Sequence, residues 1–184
     1  MTRCVVHVPL RGFEELIFGI KNISMKTALL AFAAGFEICS ELTAEMRLEI
    51  ADWDEGRRVC IGVLPEGPYI TVEKRAGLIT YVGQGRREAD ITILFKNMDS
   101  ALLVFTGQTG SADIAGEFRI RVEGSNARAM ELTRAMTVVQ TYLFPSMILR
   151  KTLKRVPAFD AARLGLKARV MGLLPARMAM IASR

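Results

Sequence analysis

The sequence predicts an α/β (α+β) domain: a single, mainly antiparallel sheet covered by unusually apolar helices. Three observations predict it. Short segments rich in branched and aromatic residues lie between Gly and Pro turns, at the lengths of strands. Stretches of 11 to 19 residues carry apolar side chains at i, i+3, i+4 and i+7, the helical period. The chain is 51% hydrophobic with a mean hydropathy of +0.25, more apolar residue than one core of 184 residues requires. That surplus calls for a second apolar surface, in the form of a cavity, a subunit interface or a membrane face. An ordinary, densely packed core is the competing reading.

The elements follow in order. Met1 to Leu10 is an apolar extended piece ending beyond Pro9. Arg11 to Lys21 is a helix, with Phe13, Leu16, Ile17 and Ile20 on one face. Asn22 and Ser24 break it and cap a second helix from about Met25 to Ser40, striped by Met25, Leu29, Phe32 and Phe36. Leu30, Ala33 and Ala34 widen that stripe, so the helix is buried or faces a partner. Strands are expected near 46–52, 58–64, 69–74, 78–82, 90–95 and 117–123. Met46, Leu48 and Ile50 alternate with charges and pair as a hairpin with 58–64 across the turn Asp52 to Gly56. Gly83-Gln84-Gly85 lacks the helix and lysine of a phosphate loop and reads as a turn or bulge. Asp99 to Phe105 is a compact apolar helix. A long helix runs from about 126 to 144, with Leu132, Met136, Val139 and Leu143 in register and Val138 and Tyr142 on a second edge. A basic helix over 146–156 and a last helix marked by Phe159, Leu166, Val170 and Leu173, interrupted at Pro175, complete the chain.

The stretch from Ala89 to Gly124 organises the whole. It holds the strand Ala89-Asp90-Ile91-Thr92-Ile93, a helix ended by Thr106-Gly107, and an alternating strand with Phe118, Ile120 and Val122 inward, flanked by Gly116 and Gly124. This order of elements resembles the sterol carrier protein type 2 domain, over roughly residues 40 to 145. One departure is Ser125-Asn126, where the family often has an Asp; both residues are good helix N-caps. The resemblance implies a fold holding an apolar ligand between sheet and helices. It places the helices near 99–105 and 126–144 around that ligand. The candidate lining residues are Leu102, Leu103, Phe105, Phe118, Met130, Met136, Val139 and Leu143. An ordinary core would use the same residues. Methionine is flexible and polarisable and suits a pocket of variable content.

The organisation expected is a helical segment over 1–40, a sterol-carrier-like lipid-binding domain over 41–145 and a basic helical tail over 146–184. From Met147 to Arg184 nine basic residues face one acid, Asp160, a net charge of +8. The remaining chain holds 16 basic and 18 acidic residues, a net charge of −2. A basic tail carrying leucine and methionine suits an anionic membrane surface; a solvated helical face is the alternative. Phe159 is the tail's one aromatic, so the stacking residues of a nucleic-acid binder are absent.

Cys4, Cys39 and Cys60 form neither a disulfide framework nor a zinc spacing, and Cys4 and His7 are a lone pair of metal-type residues. Free thiols suit a reducing cytoplasm. No signal peptide is evident, and the longest apolar run, Ala28 to Phe36, is too short to span a bilayer. His7 is the only histidine, so no Ser-His-Asp or Cys-His set forms without it. The expectation is a non-enzymatic, cytoplasmic protein without cofactor or metal. It binds a lipid or other apolar molecule as carrier or presenter, docks on membrane by its tail, and does not bind nucleic acid. The alternative is an interaction protein, such as a homodimer, whose apolar surplus is a protein interface.

Overall fold

The structure, a computed structural model, describes residues 11–109, 117, 119–145, 147–149 and 161–183. Five strands form one mixed sheet in the order β3-β2-β1-β4-β5: β1 Arg58–Val63, β2 Tyr69–Arg75, β3 Leu78–Gln84, β4 Ile91–Phe95 and β5 Ile120–Gly124. Neighbours are antiparallel except β1 and β4, which run parallel with Ile61 opposite Ile93. The β2–β3 register shifts between Thr71 and Val72, opposite Gly83 and Tyr81, where the glycine-rich turn begins. Gly124 ends β5 at φ +112, with no room for a Cβ, which would lie 2.6 Å from the Asp90 carbonyl oxygen.

The helices are α1 Arg11–Leu42, α2 Ala44–Glu49, α3 Met98–Phe105, α4 Asn126–Leu143 and α5 Ala161–Ala182. One face of the sheet is covered by α1, lying over β2 and β3, and by α4, lying over β4 and β5; α3 is tucked between α1 and β4. Gly35 sets how closely α1 crosses α4, since a Cβ there would lie 2.7 Å from Val139 Cγ1. The core between the layers takes Val59, Ile61 and Val63 of β1, Ile91, Ile93 and Phe95 of β4, and Met25, Leu29, Phe32 and Phe36 of α1, all at most 4% exposed.

Four expectations are corrected. The segment 46–52 is not a strand. Thr43 caps a helix there, its hydroxyl accepting from the Met46 amide at 3.2 Å. Met46 and Ile50, four apart, share a buried helix face, while Leu48, which a strand would bury beside them, is 76% exposed. The hairpin with 58–64 is absent accordingly, and β1 pairs with β2 and β4. Second, α1 is continuous through Asn22 and Ser24, because packing of Met25 and Leu29 on the body outweighs two weak breakers. Third, α5 continues through Pro175. Fourth, β5 begins at Ile120 rather than 117. The extended piece 1–10, with Cys4 and His7, and most of the basic helix over 146–156 lie outside the described residues, as do Gly116, Phe118 and Phe159.

The edge strand β3 is closed by α1. Outward amides of an edge strand invite pairing with another chain. Here the Ile79 amide donates to Ser40 Oγ at 3.1 Å and the Tyr81 amide to Glu37 Oε1 at 2.7 Å. Glu37 is 3% exposed, and its other carboxylate oxygen accepts from Arg177 of α5 at 2.9 Å. Arg177 forks onto Glu41 as well, and its hydrogen bonds to Glu41 and then Glu37 raise its already high pKa against the opposing effect of burial.

The tail is therefore docked on the body. Val170 and Ile181 are buried, Leu166 is half-buried and Leu173 is exposed. Arg163 pairs with Glu45, and the Lys167 ammonium donates to the carbonyls of Thr141 and Phe144, which end α4. Of the four described basic residues of the tail, Arg169 alone has no partner among those contacts.

Candidate apolar site

Along α3, Val104 and Phe105 face inward while Leu102 and Leu103 stay half-buried. Asn97 caps this helix, accepting from the Ser100 amide at 2.8 Å. Along α4, Leu132, Met136 and Val139 are at most 2% exposed, and Leu143 is half-buried at the end. Phe105 anchors the junction. Its ring meets Phe32 edge-on at 5.0 Å and Phe95 at 5.5 Å, the tilted geometry aromatic rings prefer.

The sequence-predicted lining thus separates. Phe105, Met136 and Val139 are interior side chains in a packed layer. Leu102, Leu103 and Leu143 lie at its margin, with Ile120 and Val122 of β5, likewise half-buried and packed on the core. Met130 does not join them. It sits on the outward face of α4 at 60% exposure, because Ala129 and Leu132 take the inward positions. Phe118 lies outside the described residues. The sequence reasoning left out α1, whose Phe32 and Phe36 fill the layer beside Phe105. The signal was present, since the Met25-Leu29-Phe32-Phe36 stripe already implied burial.

On β5 and toward the ends of α3 and α4 these apolar side chains are each half-buried and packed against the core. The chain joining α3 to β5, residues 110–118 apart from Glu117, is not described. The larger depressions among the described residues lie elsewhere. One of about 510 Å³ is bordered by Arg86, Asp90, Thr92 and Glu123. A groove of about 440 Å³ runs between Phe18 of α1, the turn 64–67 and the start of α3.

Buried charges are paired. Glu73 is clamped by Arg75 and Arg58, whose hydrogen bonds hold its carboxyl near 2 instead of 4.5. Burial pushes the Cys39 thiol up to about 12 and raises Cys60, so neither is a thiolate at neutral pH. Both are free. Among the described residues no three His, Cys, Asp or Glu side chains gather as a metal site. The arrangement is a packed apolar layer that excludes water.

The fold is a five-stranded mixed sheet covered by helices, and solved structures of sterol carrier proteins are similar to it. A crystal structure of sterol carrier protein 2 is 19% identical, over 60% of this chain and 92% of that one, with a TM-score of 0.46. The apo sterol carrier protein 2 of Yarrowia lipolytica is 10% identical, over 60% and 84%, with a TM-score of 0.41. Palmitated SCP2L2 from Aedes aegypti is 12% identical, over 54% and 91%, with a TM-score of 0.37. No family model and no curated relative matches the chain.

Proposed function

We propose that the protein binds a lipid or other apolar molecule on the helix-covered side of its sheet, as a carrier or as a presenter of lipid to an enzyme. The observation that carries this is the half-burial of Leu102, Leu103, Ile120, Val122 and Leu143, packed against a closed apolar layer, which on this reading form an apolar seam. On this reading the guest lies between α3 and α4, toward Phe105, Met136 and Val139. Each methylene withdrawn from water there contributes about 0.8 kcal/mol, so a long chain binds without any polar contact. The names of the similar structures, a sterol carrier and a palmitated protein, agree with this reading. The role is non-catalytic and cytoplasmic, in keeping with one histidine and free thiols. Docking on an anionic membrane is proposed for Arg169 and the basic residues of 150–155, since Arg163, Lys167 and Arg177 are held by the body.

Denaturing mass spectrometry of an organic extract from the purified protein tests the proposal. An apolar molecule should be recovered at about one per folded chain; an empty extract from folded protein counts against it. The reading as an interaction protein is favoured by a different feature, the bare first half of α1.

A further inference from the structure

The first half of α1 is apolar on two opposite sides. Met25 and Leu29 are buried against the body, and Phe18 borders the groove beside α3. On the other side Leu16, Ile20 and Ile23 are 59%, 56% and 68% exposed, with Ile17 beside them at 37%. Leu16, Ile20, Ile23 and Thr27 follow a 4-3-4 spacing, the repeat of a two-helix seam, and Leu30, next in that series, is half-buried against the core. Thr27 brings no unpaired polar group to that row, since its hydroxyl donates to the Ile23 carbonyl at 2.9 Å. Gly19 and Ser24 flank the row, and a Cβ at Gly19 would meet nothing within 4 Å, so another helix can approach closely there.

We infer that this row is a self-pairing surface, and that the protein is a dimer through the first halves of two α1 helices. The row contains no charge, so a second copy of it is complementary to it under a two-fold axis. A standard dimer buries about 800 Å² per partner around a centre that is about 65% apolar and depleted of charge, and Leu16, Ile17, Ile20 and Ile23 supply such a centre. The charges beside it do not suit an anionic bilayer. Glu14 and Glu15 are exposed at the outer end, Lys21 is paired with Asp99 at 2.7 Å, and among the described side chains Lys26 adds an exposed positive charge along the row. The span Glu14–Leu42 is long and apolar enough to cross a membrane by length and composition. Its second half is the core of the domain, with Met25, Leu29, Phe32 and Phe36 at 0–2% exposure, and cannot meet lipid while the domain stays folded. This dimer stands whether or not a ligand is found at the apolar seam.

Sedimentation velocity with and without anionic vesicles tests it. The unaltered protein should sediment as a dimer at about 10 µM in the absence of lipid. Ile20→Asp sets two carboxylates in the pairing row and should weaken association at least about 100-fold, with an unchanged circular dichroism spectrum because Ile20 touches little of its own chain. Leu164→Asp, equally exposed but on α5, should leave the dimer intact. A monomeric unaltered protein, or a dimer that Ile20→Asp does not weaken, overturns the inference. Vesicle binding by a monomer that is lost in Ile20→Asp also overturns it, and assigns the row to a bilayer.

Discussion

Replacing Glu37 with leucine should lower the stability of the protein by about 3 kcal/mol, because this carboxylate joins three parts of the fold. It closes the β3 edge by accepting the Tyr81 amide, it sits on α1, and it holds Arg177 of α5. Leucine fills the space but leaves the buried Tyr81 amide without its acceptor, at a cost of about 1–3 kcal/mol, and removes a charge-assisted bond of about 1.5–3 kcal/mol. Arg177 keeps its fork on Glu41, which limits the loss. Glu37→Gln retains an acceptor and should cost clearly less. Urea unfolding followed by circular dichroism measures both. Equal midpoints for Glu37→Leu and the unaltered protein would show that the edge contact contributes nothing.

Lys74→Met should cost about 2–4 kcal/mol. Lys74 is 6% exposed on β2, and its ammonium donates to the carbonyls of Ile50, Ala51 and Trp53 at 2.8, 3.1 and 2.6 Å. These carbonyls end α2 and turn the chain back toward β1; the same turn is fastened by the Gly56 amide to the Lys74 carbonyl at 2.9 Å. Methionine matches the stem of lysine and donates nothing, so three carbonyls lose a cation at once. Arg57, over the Trp53 ring at 5.5 Å and bonded to Glu131 at 2.6 Å, keeps the turn attached to α4. The variant should therefore unfold at lower urea with its 50–56 amides exchanging fastest. Unchanged exchange at those amides would refute the clamp.

Both contacts show where the sequence was readable. The sheet from β1 to β4 and the helix α4 were legible, because alternation and the 3.6 period act on neighbouring residues. The stretch 46–52 was not, since Met46 and Ile50 satisfy both periods and only the exposure of Leu48 separates them. Nothing in the local pattern sets Glu37 or Lys74 apart. Their roles depend on partners 44 and 21–24 residues away, which no local pattern encodes. The candidate lining was legible as apolar but not as lining. Met130 and Met136 are alike in sequence and lie on opposite faces of one helix. The place of Phe32 beside Phe105 required the tertiary packing of α1.

The binding of an apolar guest at the seam is tested most directly by titrating a fluorescently labelled long-chain fatty acid into the protein and into Leu103→Asp. Leu103 is half-buried at the margin, so the charge falls on the entry and not on the packed interior. The unaltered protein should saturate at one probe per chain. Leu103→Asp should bind at least about tenfold more weakly, more than 1.4 kcal/mol in affinity, while its urea midpoint moves little. Saturable binding unaffected by Leu103→Asp, or no saturable binding by the folded protein, would contradict a guest site between α3, α4 and β5.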